Sequence, residues 1–155
     1  MRKSIMAVAG TVLALTVLSA LAADTSEPQL RALIPKIVQA WESMDLGKID
    51  PYYAADSDLT FFDIAPLKYA NWTEYRTGVQ KMFFEPNRSL KFTLKDDLRI
   101  HRRGQLAWAT FTFGADVVSK QGANSHLDGR RTLLLEQRNS RWVVVHEHVS
   151  VPLGG

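Results

Sequence analysis

The hydrophobic pattern of the chain changes its period near residue 89, and this change restricts the fold more than any other feature. From residue 89 to residue 151, apolar residues recur at every second position, which is typical of half-buried β-strands. Turn-forming residues at 103–104, 120–122 and 139–140 divide this stretch into four strands, roughly 89–101, 105–118, 126–138 and 141–151. Because the connections are short, the strands are expected to pair antiparallel, as a meander.

The residues before this sheet have the spacing of amphipathic helices. Ser26 and Pro28 are typical of a helix start, and apolar residues follow at helical spacing as far as Trp41. Pro35 is a potential kink, and Gly47 is expected to end this first helix.

Two further helices are predicted. A short one begins at Asp50, and a third begins at Asn71, where Glu74 completes a capping box, and continues to about Phe84. A brief strand at residues 58–63 lies between them. Three helices followed by an antiparallel sheet predict an α+β fold.

The first 22 residues have the pattern of a secretory signal peptide. Arg2 and Lys3 precede an apolar run, which ends in the small-x-small cleavage site Ala20-Leu21-Ala22. The alternative is an uncleaved membrane anchor, because the run is almost long enough to span a bilayer. We expect cleavage to leave a domain of residues 23–155, exported to the periplasm or secreted. The formal charge of +3 then falls to +1, because the leader carries two positive charges and no acid.

The composition excludes several classes of site. The chain has no cysteine, so disulfides, thiolate metal centres and thiol nucleophiles are excluded. Its basic residues around 91–103 lack interleaved exposed aromatics, so no nucleic-acid partner is expected. Once the leader is removed, no membrane partner is expected either.

Alternation also assigns the residues of each strand to a face of the sheet. In the fourth strand it places Val143, Val145, Glu147 and Val149 inward, and Trp142, Val144, His146 and His148 outward. A single bulge would reverse this assignment. The outer face then gathers Trp108, Thr110, Thr112, Leu134, Trp142 and Val144. This face is more apolar than a solvated sheet, so we expect a homodimer to cover it.

His146 and His148 form an H-x-H pair on one side of a strand, a spacing that can serve metal binding. A third ligand is missing from the pattern, since Glu147 points to the other face. We therefore expect no metal and no cofactor, and interpret the pair as packing residues of the outer face.

Three segments of the mature chain resemble a known superfamily. They read AWESMDLGKIDPYYAADSDLTFFD, RIHRRGQLAWATFTF and GRRTLLLEQRNSRWVVVHEHVSVP. Residues 26–152 resemble the nuclear transport factor 2-like superfamily, and within it the SnoaL-like group. The closing strand is also similar to the end of the association domain of calcium/calmodulin-dependent kinases. The resemblance implies a cone-shaped α+β barrel with one pocket between helices and sheet, usually dimeric through the outer sheet face. It implies no single function.

Asp63 is the candidate catalytic residue. When the segment that it ends is laid over ketosteroid isomerases, which share this fold, Asp63 falls on their general-base aspartate. A carboxylate in an apolar cavity is suited to moving protons on a carbon acid. The alternative is an aspartate that ends a strand and caps the turn at residues 65–66. The isomerases' first-helix tyrosine and second acid have no counterpart here, and a base without an oxyanion partner is a weak catalyst.

The remaining candidates are predicted to line a ligand pocket. Arg131 and Glu147 fall on inward faces of neighbouring strands and are expected to pair with each other or to meet a polar ligand. The alternative for this pair is a structural salt bridge. The full predicted set is Trp41, Tyr53, Phe61, Tyr75, Phe83, Phe111, Phe113, Arg131 and Glu147.

Two functional hypotheses follow from the sequence. The first is an exported pocket protein that binds a small, largely apolar molecule, with weak isomerase, cyclase or hydratase-type activity through Asp63. The second is a non-catalytic dimerisation or ligand-sensing module, like the kinase association domain.

Overall fold

The computed structural model of the protein describes residues 26–153. The predicted signal peptide, residues 1–22, lies outside the described residues. Within the described range, no helix has both the length and the hydropathy needed to cross a membrane.

Three helices are present, as predicted, and all of them precede the long strands of the sheet. Helix α1 spans Ser26–Glu42, helix α2 spans Leu46–Ile49 and continues as a 3-10 turn at Asp50–Tyr52, and helix α3 spans Trp72–Val79 and continues as a π-helical turn at Gln80–Phe84. Helix α1 runs through Pro35 and ends before Met44, whose φ of 53° is left-handed. The predicted end at Gly47 was therefore wrong. Gly47 lies inside α2, where its N–H donates to the Asp45 side chain at 2.9 Å.

The start of α3 is fixed by its predicted cap. The Asn71 side chain accepts from the N–H of Glu74 at 2.9 Å, and the Glu74 carboxylate accepts from the N–H of Ala70 at 2.9 Å. These two bonds satisfy N–H groups that have no partner within the helix. The Asp50 carboxylate accepts from Trp72 Nε1 and from Arg76 Nε, both at 3.0 Å. This bridge holds α3 against the segment that follows α2.

The sheet has six strands and is curved but not closed among the described residues. The strands are β1 Phe61–Phe62, β2 Asn87–Leu94, β3 Arg99–Arg103, β4 Leu106–Ser119, β5 Asn124–Arg138 and β6 Arg141–Ser150. Their order is β1-β6-β5-β4-β2, and β3 pairs with the first part of β4. The predicted antiparallel meander is confirmed for β4, β5 and β6.

Two predicted strands differ from the structure. The strand predicted at 89–101 is split into β2 and β3, and between them the Asp97 carboxylate accepts from the N–H of Thr112 at 2.9 Å, in place of a backbone carbonyl. The strand predicted at 58–63 is reduced to β1, which pairs parallel with β6 through Phe61 opposite Glu147. This parallel pair lies outside the predicted meander.

A β-bulge in β6 reverses part of the predicted face assignment. Leu134 pairs with His146 and Leu135 with Val144, so Val145 is an extra residue. Trp142 and Val144 were predicted on the outer face, but both belong to the main core. The residues predicted inward in their place, Val143 and Val145, pack on the other side of the sheet with Ala54 and Leu134. Beyond the bulge, Glu147 and Val149 lie inward as predicted.

Candidate functional site

A cavity of about 310 Å³ lies between the inner face of the sheet and the helices. Its walls are mainly apolar and come from α1, α3 and strands β2, β4, β5 and β6. Six side chains with polar groups line it as well, namely Trp41, Asp63, Tyr69, Tyr75, Arg131 and Glu147. The cavity therefore combines an apolar volume with a small set of polar groups, an arrangement typical of small-molecule sites.

Glu147 lies in the protein interior with no exposed surface. Its Oε1 accepts from the Tyr75 hydroxyl at 2.7 Å, and its Oε2 accepts from Arg131 Nη2 at 2.7 Å and from the Tyr53 hydroxyl. A buried carboxylate requires such compensation, because transfer out of water strongly disfavours an unpaired charge. Three donors, one of them cationic, satisfy Glu147 within the protein.

The sheet register brings this pair of charges together. Glu147 of β6 lies opposite Leu133 of β5, and Arg131 occupies the next inward position along β5. Residues in this diagonal relation on one face are within reach of long side chains. Strand β1 covers the other side of β6, with Phe61 opposite Glu147.

Tyr53 completes the buried network although it does not line the cavity. Its hydroxyl donates to Glu147 Oε2 and accepts from Trp41 Nε1 at 2.9 Å and from Arg131 Nη2 at 3.0 Å. One donated and two accepted bonds use the full capacity of a phenol. Burial, and then the negative charge of Glu147, raises the pKa of Tyr53 and of Tyr75 well above the ordinary value. Both phenols are therefore neutral donors in this network.

Arg131 is buried almost as deeply as its partner, with 4% of its surface exposed. Its guanidinium carbon lies 5.1 Å from the centre of the Trp41 ring, in a cation–π contact. Burial is the largest single effect and would lower the pKa of Arg131, but the charge interactions with Glu147, Tyr53 and Tyr75 and the hydrogen bond to Glu147 together raise the pKa above the ordinary value. Arg131 is therefore a permanent cation next to the cavity.

Asp63 lies directly after β1, on the side of the strand that faces the cavity. It is half-buried, and its Oδ1 accepts from the N–H of Ile64 at 2.8 Å. Burial raises the pKa of Asp63 from the ordinary 3.8 to about 6, partly opposed by this backbone bond. Two carboxylates therefore border one cavity in different surroundings, Glu147 with three donors and Asp63 with one.

The structure places most of the predicted site residues at the cavity. Those that line it are Trp41, Asp63, Tyr75, Phe83, Phe113, Arg131 and Glu147. The other three predicted residues, Tyr53, Phe61 and Phe111, are buried in the core and do not line it. The alternation of apolar residues along a strand cannot distinguish residues that line the cavity from residues of the core. Both kinds face the helices, and only the packing above them differs.

The sequence analysis missed several lining residues. Leu90, Phe92, Ala115 and Val117 lie on the inward positions of strands β2 and β4, so the alternation itself could have indicated them. Tyr69 lies in an irregular segment without such a signal. It stacks on Tyr75, with ring centres 4.9 Å apart.

The H-x-H pair packs against an aromatic ring. The Phe62 ring makes edge contacts with His146 and His148 at centre distances of 5.4 and 5.6 Å. His146 Nδ1 donates to the carbonyl of Thr60 at 2.6 Å. Among residues 26–153 there is no group of three or more side chains suited to metal binding.

Comparison with solved structures identifies the fold. An NTF2-like superfamily protein from Salmonella enterica serovar Typhimurium is 18% identical, with a TM-score of 0.78 over 86% of this chain and 95% of that one. A protein provisionally named a dehydratase of the NTF2-like family, from Streptomyces avermitilis, is 14% identical, with a TM-score of 0.73 over 84% and 99%. The association domain of calcium/calmodulin-dependent kinase II from C. elegans is 17% identical, with a TM-score of 0.65 over 82% and 96%. At these identities the likeness shows the fold alone.

Comparison of the sequence with family models gives the family. No curated protein is significantly similar in sequence. The model of the SnoaL-like domain matches residues 30–154, a range that includes the whole sheet, all of the helices except the first turn of α1, and every residue that lines the cavity. The curved sheet, the helices packed on it and this match agree: the chain has an NTF2-like fold and belongs to the SnoaL-like domain family.

Proposed function

We propose that the exported, mature protein binds a small, largely apolar molecule in this cavity, and that Asp63 moves a proton on it. The observation that carries the proposal is the contrast between the two carboxylates. Glu147 is held by three donors, whereas Asp63 has one backbone donor and a pKa of about 6. A carboxylate with a pKa near the working pH can both accept and return a proton.

Hydrogen exchange of a carbonyl probe tests this proposal. In D₂O, the wild-type protein is expected to accelerate exchange of the α-hydrogens of 2-tetralone, a compact apolar ketone, as followed by NMR. Asp63→Asn is expected to bind the ketone but to lose about 100-fold or more of the acceleration. Asp58→Asn, an exposed position on the same segment, is the matched control and should keep it. Binding without acceleration by the wild type would contradict the enzymatic proposal and favour a ligand-sensing module.

A second proposal, dimerisation through the outer sheet face, has its own observation. Trp108 and Leu134 pair across β4 and β5, and both remain partly exposed on that face. The Trp108 ring stacks on His101 at a centre distance of 5.2 Å. Association-domain structures among the neighbours suggest that oligomerisation occurs in the family.

Sedimentation tests the dimer. The wild type is expected to sediment as a dimer, and Trp108→Arg to shift it towards monomer, because a charge would be buried without a partner. Leu67→Arg is the control, since Leu67 is 92% exposed and lies between β1 and α3, outside the strands that form this face. A wild type that stays monomeric at high concentration would refute the proposal.

A further inference from the structure

A second concave site lies on the outer face of the sheet, on the side away from the cavity. It is a groove of about 480 Å³ that crosses strands β3, β4, β5 and β6. Two rows of paired outward residues form its floor. One row is Arg99, Thr110, Thr132 and His148, and the other is Thr112, Arg130 and Ser150. Every one of these side chains carries a hydrogen-bond donor, and none is a carboxylate.

Arg99 and Arg130 bring two positive charges to this groove. They lie two strands and one row apart, which corresponds to about 12 Å between their Cα atoms, and both border the same volume. Arg130 is oriented by Ser150, whose hydroxyl accepts from its Nε at 2.9 Å. Within residues 26–153, neither arginine has a carboxylate at ion-pair distance. The groove therefore offers two guanidinium groups whose charges are left unpaired by the described chain.

The acids near the groove are already engaged. Asp97 borders it, but its two oxygens accept from the N–H and the hydroxyl of Thr112, at 2.9 and 2.8 Å. Asp96, in the same turn, does not line the groove. The outward acids of β4 and β5 have basic partners, in the pairs Asp116–His126, Asp128–Lys95 and Glu136–Arg138. Asp97 offsets part of the positive charge, and the groove keeps an excess of donors over acceptors.

We propose that this groove binds the phosphate group of a small polar molecule, with Arg99 and Arg130 on two sides of the phosphate and Thr110 on the strand between them. Guanidinium groups form strong, charge-assisted hydrogen bonds to phosphate oxygens. A carboxylate has two oxygens in one plane, whereas a phosphate group presents three around the phosphorus, so it can meet donors from both sides and from the floor. The groove is also larger than one phosphate group, which leaves room for the organic part of an ester.

The groove adjoins the part of the outer face proposed for dimerisation. Thr110 and Thr132 follow Trp108 and Leu134 as the next outward pair along β4 and β5. A second copy packed on this face brings further arginines close, and a bound phosphate reduces their repulsion. The inference goes beyond the proposed cavity function and does not rest on it, because the two sites lie on opposite sides of the sheet.

Titration calorimetry with three polar probes tests the inference. The probes are inorganic phosphate, glycerol 3-phosphate and glycerate, compared at neutral pH and constant ionic strength. We expect both phosphates to bind at least about 5-fold more tightly than glycerate, because they present more charge and more oxygens to the same donors. Tighter binding of glycerol 3-phosphate than of inorganic phosphate would assign the groove to phosphate esters, and equal binding to free phosphate. Either result supports the inference. Glycerate that binds as tightly as the phosphates would overturn it.

Two double variants with the same change in net charge locate the site. Arg99→Gln/Arg130→Gln is expected to weaken phosphate binding about 10-fold or more, because each arginine is a charged hydrogen-bond donor. Arg103→Gln/Arg141→Gln replaces two exposed arginines of the same sheet outside the groove and should bind within about 2-fold of the wild type. All four side chains are exposed, so both variants should fold, which circular dichroism can verify.

The ¹⁵N signal of Arg130 Nε gives a direct readout, and it should shift when glycerol 3-phosphate is added. Asp63→Asn should leave this shift unchanged, so that a failure of the cavity proposal is distinguished from a failure at the groove. An equal loss of binding in both double variants would reduce the effect to net charge and overturn the inference. A wild type that binds neither phosphate at millimolar concentration would also overturn it.

Discussion

Glu147→Leu is expected to destabilise the folded protein by about 3–5 kcal/mol, the range typical of breaking a buried ion pair. The substitution leaves the Arg131 cation buried with 4% exposure and without a counter-charge. It also removes the acceptor of two phenol hydroxyls, those of Tyr53 and Tyr75. Urea denaturation of the wild type and of the variant measures the change in the free energy of unfolding.

The double variant Arg131→Met/Glu147→Leu tests the reason for this loss. Replacing both charges with apolar side chains of similar size removes the unpaired charge. We expect the double variant to recover at least half of the lost stability, with the remaining deficit due to the two hydroxyls. A double variant no more stable than Glu147→Leu would show that the unpaired charge is not the cause.

Glu136→Leu is the matched control for the same substitution on the sheet. Glu136 forms its ion pair with Arg138 at 2.6 Å, but the two side chains are 35% and 39% exposed. An exposed pair contributes little to stability, so the control should lose less than about 1 kcal/mol. A loss as large as that of Glu147→Leu would contradict the assigned role of burial.

Asp63→Asn is expected to stabilise the protein above pH 6. The pKa of Asp63 rises from 3.8 in the unfolded chain to about 6 in the fold, with burial as the largest cause. Each pKa unit corresponds to about 1.4 kcal/mol, so the ionised carboxylate costs at most about 3 kcal/mol of folding free energy. Asparagine carries no charge and avoids this cost.

The sign of the pH dependence follows from the direction of this shift. Below pH 3.8 Asp63 is protonated in both states, and its contribution to stability is fully retained. As the pH rises from 3.8 towards and through 6, the carboxylate ionises in the unfolded state before it does so in the folded state. The free energy of unfolding therefore falls over this range. The advantage of Asp63→Asn should therefore be absent at low pH and largest above about pH 7. Denaturation curves across this range, with carboxyl-carbon NMR of Asp63, measure it. Titration of Asp63 near 3.8 would refute both this prediction and its role as a base.

Local patterns in the sequence determined the fold class and much of the site. Alternation from residue 89 onward predicted the antiparallel strands, because a half-buried strand repeats its exposure every two residues. The same rule placed Arg131 and Glu147 inward, where the structure finds them paired at 2.7 Å. The cap of α3 at Asn71 was predictable for a similar reason, since it depends on residues only three positions apart.

Tertiary structure decided the features that depend on distant residues. The bulge at Val145 moved Trp142 and Val144 into the core, and only the pairing of β6 with β5 locates it. The parallel contact between β1 and β6 joins segments more than 80 residues apart, as Phe61 opposite Glu147 shows. A short strand of this kind has no periodic signal of its own.

The division between core and cavity was also decided by packing. Phe111 and Phe113 are both inward residues of β4, yet only Phe113 borders the open volume. Phe111 is instead packed within the core, with 4% of its surface exposed. The protonation of Asp63 has the same origin, because burial by residues far along the chain sets its pKa. Composition and spacing can place a carboxylate near a cavity, but only the assembled fold determines how much water remains around it.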